Sequence, residues 1–448
     1  MSEFDKHRTQ APLADEYGNV HQIADELARG GQGVVFRTGD ADLAIKQPLD
    51  PSGQPDRRAN LRDRFRHIRL LPIPARIPIS LPLAILRDQP GYVMRLLNGM
   101  KPFDAFDLDG RAKKAQEEGN AALPEWLARI QDRDMALRLL HYAGTGSTRR
   151  RLFALAKCAA ILARLHSAGL VYGDISTNNA FLGEGASRDV WLIDADNMRF
   201  EQASAGSAVY TPGYGAPEVV RGTGDSRPLT DCWAFAVMAF KILALCHPFI
   251  GKKVLEPEED EGGWDDEPAE GGAPADLDER AYAGYLPFVD DEDDDSNESI
   301  GGLPRGLIAT AALRRLFQEN FNAGRQHPHR RPAMAFWALE LARAFDLSLE
   351  CTACKMSYFA CQHENCPYCR APRPAFIRAR TPRWEISIPA DATEAALPHR
   401  LFHPFSFEHN DNTEYEAVLN FSTKTITPVR GTRPFPDNLT VEFVGAGQ

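Results

Sequence analysis

The chain has 448 residues, 43% hydrophobic and 25% charged, which is a globular composition with room for two or three domains and excludes a collagen-like or disordered chain. Its formal charge of −11 is unevenly placed: residues 256–298 hold 19 acidic residues and one basic residue, Arg280, so the rest of the chain is net basic. The first residues lack the apolar run of a signal peptide. The longest apolar stretch, from Ala234 to Cys246, is interrupted by Lys241 and too short for a bilayer, so a cytoplasmic chain with no membrane association is expected.

Residues 1–21 read as an N-terminal segment. From Glu26 to Arg37 apolar and β-branched residues flank Gly30, Gly31 and Gly33, the pattern of a strand-turn-strand hairpin. Glycines at such a turn let backbone amides approach phosphate oxygens closely. On that loop alone, a plain glycine-rich hairpin is the better reading. An apolar strand then ends in Ala44-Ile45-Lys46. The spacing of Leu61, Phe65, Ile68 and Leu71 predicts a helix over residues 56–71. Gly91-Tyr92-Val93-Met94-Arg95-Leu96-Leu97 reads as a buried strand running into a connection.

In the second half, Leu152, Leu155, Ala159, Leu162 and Leu165 predict a helix over residues 149–168, ended by Gly169. Leu170-Val171-Tyr172-Gly173-Asp174-Ile175-Ser176-Thr177-Asn178-Asn179 follows, with Asp174 and Asn179 five residues apart on one loop. Val190-Trp191-Leu192-Ile193-Asp194-Ala195-Asp196 is an apolar strand ending in two acids; taken alone it could be an Asx turn. Thr211-Pro212-Gly213-Tyr214-Gly215-Ala216-Pro217-Glu218 comes next. An apolar helix opens at Thr230-Asp231-Cys232-Trp233 and reaches His247-Pro248-Phe249. Arg330-Arg331-Pro332 closes the series.

Seven signatures in this order resemble the eukaryotic-like Ser/Thr protein kinases over residues 22–345. The resemblance implies an α+β, bilobal fold. A small lobe would span residues 22–99, and a helical lobe residues 100–345 with an acidic, solvated insertion at 252–300. ATP would lie between them, against Ala28, Gly30, Gly31, Gly33, Val35, Ala44 and Lys46, with adenine on the backbone near Met94, Arg95 and Leu97. Lys46 would hold phosphate, Asp174 would act as base, and Asn179 and Asp194 would hold Mg²⁺. Asp196 is a candidate second metal ligand. Glu218, Arg331 and Asp231 would be structural.

The chain departs from the family pattern at several places, among them Ala195 and Asp196 for the Phe and Gly after Asp194 and Ala236 for a helix glycine. Ala28 replaces the first loop glycine. No glutamate occurs between Lys46 and Glu117, so the helix partner of the lysine is missing, and Asp63 is the candidate substitute. Tyr172-Gly173 replaces His-Arg, which argues against control by an activation-segment phosphate at Ser204, Ser207 or Thr211. Ser176 stands where these kinases usually carry a lysine.

The tail begins with Cys351-Thr352-Ala353-Cys354 and Cys366-Pro367-Tyr368-Cys369, with eleven residues between them. Two such knuckles can bring four thiolates to a tetrahedral, structural Zn²⁺, with Cys361 and His363 as spares. A zinc ribbon over residues 350–372 is expected, followed by a β-rich module over 373–448. The arginines from Arg370 to Arg383 fit a solvated or protein-docking stretch better than nucleic acid. A zinc ribbon behind such a kinase resembles the kinase member of bacterial triads. Those pair it with a metal-dependent Ser/Thr phosphatase and a von Willebrand A-type protein, often near tellurium-resistance genes. The expected function is a Mg²⁺/ATP-dependent kinase acting on Ser or Thr of a partner protein, controlled through the tail or the insertion. The alternative is a nucleotide-binding pseudokinase scaffold.

Overall fold

In Ile23–Gly30 (β1), Gly33–Thr38 (β2), Leu43–Pro48 (β3), Ala84–Ile85 (β4) and Tyr92–Arg95 (β5), short strands pair antiparallel in the order β1-β2-β3-β5-β4. The computed structural model describes residues 11–30, 33–58, 60–107, 123–185, 189–201, 210–257, 277–398, 415–430 and 432–447. Along β2, Val34, Phe36 and Thr38 are buried while the residues between them are half-buried, the period-two pattern of a sheet with one covered face. The registers Val35↔Lys46 and Lys46↔Tyr92 fix Lys46 between the glycine hairpin and β5.

The helix Leu61–Leu70 (α1) buries Leu61, Phe65 and Ile68. It starts five residues later than the spacing predicts. Asp56 is buried and accepts the Arg58 amide at 3.0 Å, a local side-chain bond that holds this stretch out of the helix.

Beyond Met100–Pro102 (β6), the larger lobe is built on Arg133–Gly144 (α2) and Ser147–Ser167 (α3). Asp132 caps α2 by accepting from Asp134 N and Met135 N. In α3 fifteen of the 21 residues are buried, so it is a central helix covered all round and not only on the predicted apolar face. Leu170–Val171 (β7), Ala180–Gly183 (β8), Val190–Leu192 (β9) and Arg199–Phe200 (β10) frame the catalytic-type loop. Among them β8 pairs with β9 and β6, and β10 with β7. Pro217–Val220 (α4), Pro228–Ala244 (α5), Leu277–Tyr282 (α6), Ala311–Gln318 (α7) and Met334–Leu347 (α8) complete the lobe.

The acidic window departs from the expectation of a solvated insertion over part of its length. Ala281 on α6 and the following Leu286, Phe288 and Val289 are in the core, with the Phe288 ring 5.3 Å from Phe240 and 4.9 Å from Phe321. Asn297 is fully buried and donates to the carbonyls of Phe249 at 3.1 Å and Pro287 at 2.8 Å. Charge counting missed the short apolar run that anchors these acids. Residues 258–276 lie outside the described residues.

Ser348–Glu350 (β11) and Ser357–Phe359 (β12) pair beside α3, and Cys351, Cys354 and Cys366 share one core with α3 and α8. Six strands follow: Phe376–Arg380 (β13), Glu385–Pro389 (β14), Glu394–Leu397 (β15), Tyr415–Asn420 (β16), Thr425–Pro428 (β17) and Thr440–Val444 (β18). They form two three-stranded sheets around Ile377, Ile386, Ile388, Leu397, Tyr415 and Leu419.

Candidate active site

The loop between β7 and β8 is held from below by a single carboxylate. Asp231, at the start of α5, is buried and accepts the amides of Tyr172 at 2.8 Å and Gly173 at 2.9 Å, with His166 Nε2 at 3.0 Å. Two backbone donors on one acid fix the direction in which the next residue leaves. Gly173 has φ +85°, and a Cβ there would sit 3.2 Å from the Asn197 carbonyl, so the turn needs glycine.

Asp174 follows, its Oδ1 accepting the Thr211 hydroxyl at 2.8 Å. Burial pushes its carboxyl up, while the Thr211 bond and the charge of Lys46 oppose that shift. Asn179 donates from Nδ2 to the Asp174 carbonyl at 2.9 Å, which leaves its Oδ1 facing away from that bond, and its own carbonyl accepts the Ile193 amide at 3.0 Å. This last bond carries the loop to Asp194, which adopts left-handed backbone with φ 59°.

Lys46 is buried and ion-paired to Asp194, and to Asp196 Oδ2 at 2.8 Å. Burial is the largest single influence and would lower its pKa, but Asp196 and Asp194 together raise it, so the ammonium stays charged. Burial raises Asp194, opposed by Lys46. The structure therefore brings Lys46, Asp174, Asn179 and Asp194 to one cleft between the lobes. Asp63 is not part of it: its side chain is 81% exposed, 3.4 Å from Arg66, on the outer face of α1. The residues at i and i+4 of the inner face, Leu61 and Phe65, are apolar, so no side chain of α1 replaces the missing glutamate.

Four contacts here were not legible in the sequence. The Tyr92 hydroxyl donates to Asp196 Oδ1 at 2.7 Å, Arg64 donates to the Asp196 carbonyl at 2.8 Å and to Asn197 Oδ1 at 2.6 Å, and the Tyr172 hydroxyl bonds the Ile193 carbonyl. The only signal for Tyr92 was its cross-strand register with Lys46, which a sequence does not print.

Of the predicted nucleotide residues, Ala28 pairs with Val35, and Gly30 with Gly33, at the tip of the β1–β2 hairpin. Gly31 lies outside the described residues. A Cβ on Gly33 would meet the Gln47 carbonyl at 2.9 Å and Lys46 Cε at 3.2 Å, so this glycine lets the hairpin close over the lysine. Ala44 pairs with Met94. The Arg95 carbonyl accepts the Ser80 hydroxyl at 3.2 Å, and the Leu96 amide donates to the Asp42 carbonyl at 2.8 Å. Leu97 follows directly.

Beside Asp174, Tyr214 sits 3.2 Å from the Thr177 hydroxyl and accepts from Lys241 at 3.0 Å. Glu218 and Arg331 form a bidentate pair with both N···O distances 2.7 Å, over the Trp233 ring at 4.9 Å. Ser204 and Ser207 lie outside the described residues.

In the tail, the Sγ atoms of Cys351, Cys354, Cys366 and Cys369 all lie within 4.8 Å of one another, with Cys351···Cys369 and Cys354···Cys366 at 3.6 Å. A tetrahedral ion with metal–sulfur bonds of ~2.3 Å needs sulfurs about 3.8 Å apart, so the set fits a metal ion such as zinc. The two knuckles repeat one geometry. Cys351 N and Cys366 N each donate at 2.8 Å to a carbonyl five residues on, and Lys355 and Arg370 hold positive φ at matching places. Cys361 and His363, the spares, are outside the cluster: Cys361 Sγ lies 3.8 Å from Glu385 and Ser387, and His363 packs on Tyr358.

Residues 131–262 match the protein kinase domain family. The chain is 26% identical over 266 residues to the CBL-interacting serine/threonine-protein kinase 16 of Arabidopsis thaliana, covering 56% of this chain and 49% of that protein. It is 35% identical over 109 residues to human ribosomal protein S6 kinase alpha-2, covering 22% of this chain and 14% of that protein. To the dual specificity protein kinase lkh1 of Schizosaccharomyces pombe it is 30% identical over 116 residues, 22% of this chain and 16% of that one. The chain thus spans half or less of the length of these relatives. It carries a protein kinase domain, of mixed helix and sheet, with Ser/Thr kinases among its homologues. No helix among the described residues is long and apolar enough to cross a membrane.

Proposed function

We propose that the chain is a Mg²⁺/ATP-dependent kinase that phosphorylates Ser or Thr on a partner protein. The observation that carries this reading is the Thr211 hydroxyl donating to Asp174 at 2.8 Å, since it shows the carboxylate receiving an aliphatic hydroxyl at hydrogen-bond distance within the cleft. Asp174 takes the proton of the substrate hydroxyl. The β1–β2 hairpin covers the phosphates, and Lys46 neutralises them. Asn179 Oδ1 and Asp194 are the oxygen donors that suit Mg²⁺, a cation that neutralises phosphate charge when bound. The four cysteines hold a structural Zn²⁺, since four thiolates leave no open position for catalysis. The order of kinase lobe and cysteine module supports partnership with a metal-dependent phosphatase and a von Willebrand A-type protein.

A second reading is a nucleotide-binding scaffold without phosphotransfer. It is favoured by the Lys46–Asp194 ion pair, which occupies a proposed metal ligand. Radiolabelled ATP, offered with protein substrates to the chain and to Asp174→Ala, decides between them. Label that depends on Asp174 supports the kinase. Equal label in both, or none in either while nucleotide binds, overturns it.

A further inference from the structure

The lysine of a kinase cleft must be aimed at phosphate by an acid, and α1 supplies none. Its buried residues are Leu61, Phe65 and Ile68, all apolar, and Phe65 packs edge-on against Tyr92 at 4.9 Å. Yet Lys46 is not left with Asp194 alone. Asp196 Oδ2 lies 2.8 Å from its ammonium, and the pair is almost closed to water, with side-chain exposures of 8% and 12%. Asp196 is in turn fixed on both sides. Its other oxygen accepts the Tyr92 hydroxyl at 2.7 Å, and its carbonyl accepts Arg64 of α1 at 2.8 Å.

We propose that Asp196 is the positioning residue for Lys46, acting from the segment after Asp194 in place of an acid on α1. The inference rests on the kinase reading above. With Asp194 given to the metal in that reading, Asp196 is the carboxylate that stays with Lys46. Tyr92 and Arg64 hold it against β5 and α1, so the helix is linked to the lysine through Arg64 and the Asp196 backbone. The sequence suggested instead that Asp196 is a second metal ligand. The geometry argues against this, because both carboxylate oxygens are already engaged by Lys46 and Tyr92.

The test uses the full chain with Asp196→Asn, Tyr92→Phe, Lys46→Met and the double variant Lys46→Met/Asp196→Asn. Asp196→Asn keeps the shape but removes the charge. It should lower kcat about 10- to 100-fold, because a misaimed contact costs on that order. The Mg²⁺ concentration for half-maximal rate should not move, and excess Mg²⁺ or Mn²⁺ should not restore the rate. Tyr92→Phe should lower kcat in the same direction by a smaller factor. Without any ligand, the urea midpoints should be coupled: the double variant unfolds no earlier than Lys46→Met alone, because each single change strands a buried charge. A raised Mg²⁺ requirement with rescue by excess metal would assign Asp196 to the metal and overturn the proposal. Additive losses in the urea midpoints would overturn it too. Full activity of Asp196→Asn beside a dead Asp174→Ala would sink this inference while leaving the kinase reading standing. Full activity of Asp174→Ala would sink that reading instead, and the ligand-free coupling would still report on the Lys46–Asp196 pair.

Discussion

Arg149 and Ser357 are tied across 208 positions of sequence: the Arg149 amide donates to Ser357 Oγ at 2.7 Å, and the Ser357 amide donates to Ser147 Oγ at 2.8 Å. These bonds set the four-cysteine centre onto the N-terminus of α3, and Arg149 also reaches the carbonyls of Phe345 and Ser348. The cysteine module is therefore continuous with the core of the larger lobe. Metal removal should not unfold the tail alone. Chelation, or Cys354→Ala, is expected to lower the thermal midpoint of the lobe as a whole, with one metal ion lost per chain and a destabilisation of several kcal/mol, on the order of a third of what structural zinc supplies to small domains. Calorimetry on metal-loaded and chelated protein checks this. Two separate transitions, with the larger unchanged by chelation, would contradict it.

Glu218 and Arg331 give a second stability prediction. The guanidinium is buried and makes its bonds to Glu218, to the Gly324 carbonyl at 2.9 Å and to the Leu229 carbonyl at 3.1 Å. Removing one partner leaves the other charge uncompensated, so Arg331→Ala should cost roughly 3–5 kcal/mol in denaturant unfolding. Arg331→Lys should recover little of it, because a lysine cannot reproduce the planar bidentate fork.

The sequence carried the parts of the fold that depend on local pattern. The glycine hairpin, the Lys46 strand, the helix ending at Ser167 and the Cys-x-x-Cys knuckles follow from spacing alone. It did not carry contacts that depend on which residues meet across strands or lobes. Tyr92, Arg64 and Asp196 are brought to Lys46 by the sheet register and by the turn at Asp194, and neither leaves a periodic trace. Asp63 has the charge and lies on the right helix, but helix phase puts it outside. The number of acids near Asp290 points to solvent, while Phe288 and Val289 just before them decide where that stretch packs.

Thr211 should matter to catalysis through Asp174. Thr211→Val keeps the shape of the side chain but removes the hydroxyl that holds Oδ1, and is expected to lower kcat about tenfold, comparable to losing one oriented hydrogen bond to a charged group. Thr211→Ser should retain most of the rate. Initial-rate phosphorylation of a fixed protein substrate separates these, and equal rates for Val and wild type would remove Thr211 from the argument.

Gly173 bears on control. Its left-handed backbone and the Asn197 carbonyl 3.2 Å from a Cβ mean that an arginine cannot be restored there without strain. Gly173→Arg should destabilise the chain by about 1–2 kcal/mol and lower activity, not create dependence on phosphate. A variant that is stable and becomes phosphate-activated would show that the turn tolerates the side chain and that control by a phosphate can be built into it.

His247 sets an acid limit on stability. It is half-buried beneath the turn at Gly213, its Nε2–H donating to the Gly213 carbonyl at 2.9 Å and its Nδ1 accepting the Phe249 amide at 3.2 Å, with Tyr282 and Phe249 packed on the ring and Lys241 nearby. Burial, reinforced by Lys241 and opposed by the Gly213 bond, lowers its pKa from 6.5 to about 4, so the folded state holds it neutral. The unfolded chain takes up this proton first as pH falls. Stability from His247 is therefore full above about pH 6.5 and is lost between that pH and about 4, by roughly 3 kcal/mol in total. His247→Gln can keep a donor to Gly213 without titrating, so it should flatten the fall in unfolding free energy across that window relative to wild type. Urea unfolding at pH 7.5, 6.0 and 4.5 measures the difference, and parallel curves for the two proteins would show that His247 is not the group that sets the acid limit.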